Sequence, residues 1–291
     1  MLMKKILLAT DFSPPAQELM ACLAELKAHG MEEVILFHAV SIVRAQGSAL
    51  EVQRHYEERL QQEKKRLEAE GYQVSIRVPM GFPPEEIINT AVEEGASLIL
   101  MGSHGGGMIR SLFLGSTTFD VVRLSPVPVL VEKFRDVNRK DYTPVCRLKF
   151  NRILFPTDFS PCARQVWQEL LNMAPYIDSA VLVSVVQKVR DEAMWQELRD
   201  RNEQELQQMR KELEAAGCEV AVHLTDGTPS RRILEIADEE AVSLILMPRR
   251  GEGFIQQLLL GSTAEAVARQ SKQPVLLVPC DTHVMNGSGV R

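Results

Sequence analysis

Short apolar runs and amphipathic segments alternate along the chain. The first run, Lys5–Thr10 (KILLAT), has the length and continuity of a buried strand. Ser13-Pro14 follows, an N-cap residue ahead of a proline at the first helical position, and predicts a helix to about Ala28. Glu33–Val40 (EVILFHAV) is a second apolar run. From about Ala49 to Glu70, Val52, Tyr56, Leu60 and Leu67 form one stripe among charged residues, and Gly71 ends this long helix. Gln73–Pro79 alternates as a third strand. A helix over Pro84–Glu94, a strand over Ser97–Met101, a helix over Ser116–Leu124 and a last strand over Pro128–Glu132 complete the first half.

The pattern is then written a second time. KKILLATDFSPPAQ from Lys4 matches NRILFPTDFSPCARQ from Asn151, so that Asp11 corresponds to Asp158. GFPPEEIINTAVEEGASLILMGS from Gly81 matches DGTPSRRILEIADEEAVSLILMPR from Asp226, with Gly81 opposite Gly227. LFLGSTTFDVV from Leu112 matches LLLGSTAEAVA from Leu258. The offset is 146 or 147 residues throughout, a whole domain rather than a solenoid repeat. The expected division is a first domain over 1–137, a polar linker over 138–149, a second domain over 150–280 and a loose tail over 281–291.

Strand–helix alternation with continuous apolar strands implies a parallel sheet covered by helices on both faces. The expected fold class is α/β, as two tandem doubly wound, five-stranded, Rossmann-like parallel sheets. Ligands of such sheets bind beyond the carboxyl ends of the strands, where strand order reverses. With order 3-2-1-4-5 that point lies between strands one and four, whose following residues are Asp11 and Gly102.

Composition narrows the function. The 291 residues are 45% hydrophobic and 25% charged, as in ordinary globular proteins. No apolar run is long enough to span a membrane, and the first residues lack a signal-peptide pattern, so a cytoplasmic location is expected. The net charge is −6, with 14 basic against 18 acidic residues in 1–137 and 19 against 21 in 138–291. Neither half offers the basic surface that grips nucleic acid. The five cysteines are widely spaced without a CxxC pair, which argues against a disulfide framework or a zinc site.

After the fourth strand comes GSHGGGMIRSLFLGST, residues 102–117. Any one glycine here need do no more than allow a turn. The array Gly102-x2-Gly105-x9-Gly115-Ser116, at a strand end beside Asp11, describes more: backbone N–H groups turned into one concavity. Ser116 and Thr117 open a helix whose free N–H groups and dipole favour an anion. The spacing is neither a Walker loop nor GxGxxG.

Both halves resemble the universal stress protein domain, and the resemblance covers nearly the full chain. The nucleotide-binding branch of that family carries G-x2-G-x9-G-(S/T) after strand four and an aspartate after strand one. Gly102, Gly105, Gly115, Ser116 and Asp11 match it. The resemblance implies strand order 3-2-1-4-5 and an ATP or AMP ligand, with Mg²⁺ bridging phosphates. Thr10 and Asp11 would hold the adenosine, the backbone of Ala39 and Val40 would meet adenine, and Gly102, His104, Gly105, Gly107, Gly115, Ser116 and Thr117 would cradle phosphate. Thr157, Asp158, Val185, Arg250, Gly251, Gly261, Ser262 and Thr263 occupy the corresponding places in the second half. The resemblance also implies pseudo-twofold pairing of the last strands, Pro128–Glu132 with Pro274–Val278, either within the chain or in a homodimer.

The halves differ where Gly102 is replaced by Pro248, which has no N–H. Arg249 and Arg250 follow and are expected to offset this by pairing with phosphate, leaving the second site weaker or altered. His104 reads as a phosphate contact or as a solvated loop residue, and His38 as a core or rim histidine. Cys162, at a helix start, reads as inert for want of an electropositive partner. No nucleophile elbow, carboxylate pair or metal-ligand cluster stands out, and no general base can be named. A nucleotide-binding regulatory module for stress response is the first expectation. A slow ATPase or phosphotransferase in the same pocket, a scaffold with a permanent structural nucleotide, and a flavoprotein on a related fold are the alternatives.

Overall fold

The computed structural model describes residues 3–41, 49–103, 114–136, 142–187, 190–251 and 259–280. The first half runs β1 (Lys5–Ala9), α1 (Pro14–Glu18), a 3₁₀ turn (Leu19–Cys22), α2 (Leu23–Ala28), β2 (Glu33–Phe37), β3 (Val40–Ser41), α3 (Ala49–Ala69) and β4 (Gln73–Arg77). It continues through β5 (Met80–Gly81), α4 (Pro83–Glu93), β6 (Leu98–Gly102), α5 (Ser116–Leu124) and β7 (Val129–Glu132). The antiparallel pair β8 (Phe134–Asp136) and β9 (Tyr142–Pro144) leads onward. The second half holds β10 (Arg152–Pro156), α6 (Pro161–Met173), β11 (Ser179–Val186), α7 (Glu192–Ala215), β12 (Glu219–Asp226), α8 (Pro229–Glu239), β13 (Leu244–Pro248), α9 (Ser262–Gln270) and β14 (Val275–Val278).

Each half builds its own parallel sheet, in the order β4-β2-β1-β6-β7 and, mirrored, β14-β13-β10-β11-β12. This is the 3-2-1-4-5 order, twice. The two edges meet: β7 pairs antiparallel with β14 through Val129↔Leu277, Leu130↔Leu276 and Val131↔Val275, and ten strands form one sheet. Helices cover both faces, which explains the apolar runs of β1, β2, β6, β10, β13 and β14, while the outer strands β4 and β12 carry polar residues. Ile6, Leu8, Leu130 and Leu276 face one core, while Leu7, Val129 and Leu277 face the other. Both cores therefore run through the junction.

Four local expectations change. The second apolar run is two elements: β2 stops at Phe37, and Val40 begins β3, which pairs with β5. The first helix is interrupted by the 3₁₀ turn, whereas its counterpart α6 is continuous. Ser160 caps α6 by accepting from the Ala163 N–H, but the Ser13 hydroxyl makes no such bond. The expected polar linker ends on a residue tied to the first half. Lys149 is fully buried, with Nζ 3.0 Å from Glu132 Oε2 and 3.4 Å from Glu25 Oε2. The Phe150 N–H donates to the other Glu25 oxygen, and the Cys22 thiol donates to Glu132. Burial opposes the Lys149 charge, but Glu132 first, with Cys22 and Glu25, outweighs it and holds the ammonium above its usual range.

The cysteine expectation is overturned. Cys162 in α6 and Cys280 just past β14 form a disulfide, with Cα atoms 5.3 Å apart across a sequence separation of 118. Such a pairing is created by topology, because the first helix of a half packs beside the end of its last strand. Linear spacing carries no trace of it.

Removing one partner of a buried ion pair leaves the other charge stranded. Lys149→Ala is expected to lower stability by about 3–5 kcal/mol, read as the shift of the urea unfolding free energy. A loss below about 1 kcal/mol, the range of an exposed pair, would contradict the buried geometry.

Candidate functional site

β1 lies beside β6 in parallel register, Ile6↔Leu98 and Leu8↔Leu100, so the loops leaving them emerge together. The first loop is folded by its own side chains. The Phe12 N–H donates to Thr10 Oγ1 and the Ser13 N–H donates to Asp11 Oδ1, each at 3.0 Å. The backbone at Phe12 is thereby held at φ +59°. A bulky residue at positive φ is strained, and such strain collects at functional loops. The second half repeats every part: Phe159 donates to Thr157 Oγ1, Ser160 donates to Asp158 Oδ1, and Phe159 has φ +58°. Both aspartates are exposed at the strand ends.

The other wall is the start of the fourth helix. Gly115 is the N-cap of α5, and its N–H donates to the Ser103 carbonyl at 2.7 Å. Thr118 Oγ1 ties the Gly102 carbonyl at 2.8 Å. With glycine as the cap, α5 has no side-chain cap hydrogen bond, and in its first turn Ser116 is exposed and Thr117 half-buried. In the second half Gly261 caps α9 and donates to the Arg249 carbonyl at 2.9 Å. The glycines there are demanded by space. A Cβ on Gly251 would lie 2.4 Å from Asp158 Oδ2, and one on Gly261 would lie 3.3 Å from the Arg249 carbonyl. The two loops thus meet within contact distance, with Ser262 and Thr263 opening the helix beside them.

Ala39 sits between β2 and β3, half-buried, and Val40 is buried with its N–H on the Pro79 carbonyl. Val185 stands near the end of β11 opposite Thr225. His104, Gly105 and Gly107 lie outside the described residues. A hollow of about 310 Å³ lies beside α3, and one of about 190 Å³ between α6 and α7 reaches Thr157 and Phe159, on either side of Asp158.

Arg249 corrects the sequence reading. Its side chain is committed to the other half. Its guanidinium is buried and donates to the Ser125 and Val122 carbonyls at the far end of α5, in the other half. The junction explains this, since β13 lies one strand from β7 and its following loop overlies the C-terminus of α5. Helix C-termini offer unpaired carbonyls and attract cations. Burial lowers the Arg249 pKa to about 10. Lys133 answers from the first half: its Nζ donates to the Ala268 carbonyl of α9 at 2.8 Å, and burial lowers its pKa to about 8. Arg250 stays in its own half, with Nε on the Leu259 carbonyl at 3.4 Å.

A cluster behind the Asp11 loop was only partly legible. His38 is buried, as a core histidine should be, and Nδ1 meets the Thr10 carbonyl at 2.8 Å. Its ring lies 4.0 Å from Tyr56, and the Arg59 guanidinium covers Phe12 at 3.9 Å. The helical stripe predicted Tyr56, but nothing in the spacing tied Arg59 to Phe12.

Fold and site together define a tandem α/β protein with the same aspartate turn and glycine-capped helix start in each half. Residues 3–133 and again 149–279 match the universal stress protein family, and the chain belongs to that family. It is 33% identical over 153 residues to a universal stress protein of Methanocaldococcus jannaschii, covering 45% of this chain and 94% of the relative. It is 37% identical over 134 residues to one of Thermus aquaticus, covering 44% and 97%. A universal stress protein structure from Archaeoglobus fulgidus superposes with a TM-score of 0.75 at 28% identity, over 94% of this chain and 98% of that one.

Burial holds the His38 pKa below its usual value. The unfolded chain then takes up a proton on this residue at a higher pH than the folded chain does. The stability that His38 contributes is full above the unfolded pKa and is lost as pH falls through the folded one. Urea midpoints measured from about pH 7 to about pH 5 should fall more steeply in the wild type than in His38→Gln. Parallel slopes would contradict the assignment.

Proposed function

We propose that this chain is an adenine-nucleotide-binding regulatory protein of the stress response, acting in the cytoplasm, with ATP or AMP as ligand. The observation that carries the reading is the close approach of the two loops at the strand-order switch of the second half, where the Asp158 carboxylate abuts Gly251, together with the same aspartate turn and glycine-capped helix start in the first half. Nucleotides occupy this place in doubly wound sheets. The helix N-terminus suits phosphate, and the hydroxyls of Ser116 and Thr117 add donors. The close approach of Asp158 to Gly251 supports a cradle in the second half that a Cβ would fill.

In this reading Asp11 and the Thr10 backbone hold the ribose, Ala39 and Val40 meet the base, and the run from Gly102 to Thr117 takes the phosphates. Mg²⁺ would ride on the phosphates, as the described residues contain no cluster suited to hold a metal. Net charge gives no help, so the anion is held by local N–H groups.

The two clefts are unequal. Pro248 lacks the N–H that Gly102 offers, Ala264 lacks the hydroxyl with which Thr118 fixes the strand end, and Arg249 is committed to the junction. The first cleft is therefore the tighter one, by about tenfold, the worth of one hydrogen bond.

Isothermal titration of the full chain with ATP tests this. Gly115→Val should remove the tighter event and Gly261→Val the weaker one. Loss of the tighter event in Gly261→Val instead would reverse the order, and unchanged binding in both would refute the site. Phosphate release followed in the same samples separates a binding module from a slow ATPase.

A further inference from the structure

The Cys162–Cys280 disulfide lies where it can govern one cleft and not the other. Cys162 is the second residue of α6, four residues after Asp158, whose carboxylate abuts Gly251. Cys280 is two residues past Val278, whose carbonyl accepts the Arg249 N–H at 2.9 Å. The bond therefore straps the aspartate loop to the strand end that anchors the glycine loop. Both walls of the second cleft hang from it.

The first half has no such bond. Pro15 and Phe134 stand at the corresponding places. There the chain leaving β7 is held by non-covalent means, because β8 pairs with β9 and β9 packs on α1. The covalent strap in the second half stands where the first half has a hairpin.

We propose that Cys162–Cys280 is a redox-controlled strap on the second cleft, opened and closed by a low-molecular-weight thiol–disulfide couple. This rests on the nucleotide reading for its ligand, and on the disulfide alone for its chemistry. A first thiolate attacks the Cys280 sulfur, forming a mixed disulfide and expelling Cys162 as thiolate. The N-terminus of the 13-residue helix α6 stabilises that leaving group. A second thiolate attacks the mixed disulfide, expels Cys280 and releases the oxidised small disulfide. Two electrons and two protons pass to the cysteine pair, and the reverse sequence closes the strap. The remaining cysteines, Cys22, Cys146 and Cys218, have thiols pushed upward in pKa by burial, which disfavours their entry into the exchange.

The experiment uses the oxidised full chain, exposed to reduced and then to oxidised glutathione. Two thiols should become available to maleimide and then be lost again. Amide exchange should quicken over 158–164 and 249–251 on reduction and slow on reoxidation. ATP affinity in the Gly115→Val chain, which reports the second cleft alone, should fall about tenfold on reduction. Affinity in the Gly261→Val chain should not move. The Cys162→Ser/Cys280→Ser double variant should hold the reduced values in every buffer, and should it fail to fold, the wild-type comparison decides. A bond that glutathione leaves intact, or exchange and affinity unmoved by reduction, would overturn the proposal. If ATP binds in neither state, the nucleotide reading fails, and amide exchange alone then judges the strap by the same two outcomes.

Discussion

Everything in this molecule depends on the antiparallel pairing of β7 with β14. Two edge strands, each apolar on both faces, would otherwise expose unpaired N–H and C=O groups. Their pairing closes both edges, fuses two sheets into one and carries both cores across the junction. It also fixes where the loops after β6 and β13 begin. Because β6 and β13 flank this pair, each glycine loop sits one strand away from the opposite half.

That proximity gives the junction its second layer. Arg249 holds the C-terminus of α5 with its guanidinium, while its backbone carbonyl receives the N-cap of α9. Lys133 holds the C-terminus of α9, next to Glu132, whose carbonyl receives the Ser103 N–H. Each cation therefore touches the C-terminus of the other half's glycine-capped helix. Duplication in one chain allows this division of labour. An interface between identical copies would need both cations twice, but here each half supplies one.

The fold was legible because it rests on period and punctuation. Continuous apolar runs, a proline at the start of α1, α4, α6 and α8 and an internal repeat carry the alternation of strands and helices, while the strand order came from the family resemblance. The aspartate loops were equally readable, since Thr-Asp-Phe-Ser folds by contacts within four residues. What failed to show was long-range. Arg249 looked like a phosphate ligand because its sequence neighbours are loop glycines, yet its partners lie more than a hundred residues away. Cys162 looked solitary for the same reason. Lys149 looked like linker charge until the fold surrounded it with Glu25 and Glu132. Local chemistry is written locally, and the partners of buried ions and cysteines are set by topology.

The central claim is that the paired loops at the strand ends hold an adenine nucleotide. A crystal structure of the full chain grown with ATP and Mg²⁺ tests it most directly. The account predicts nucleotide in the first cleft, with ribose at Asp11 and phosphates against the N–H groups that open α5. An empty first cleft at saturating ATP, or nucleotide bound elsewhere, would contradict it.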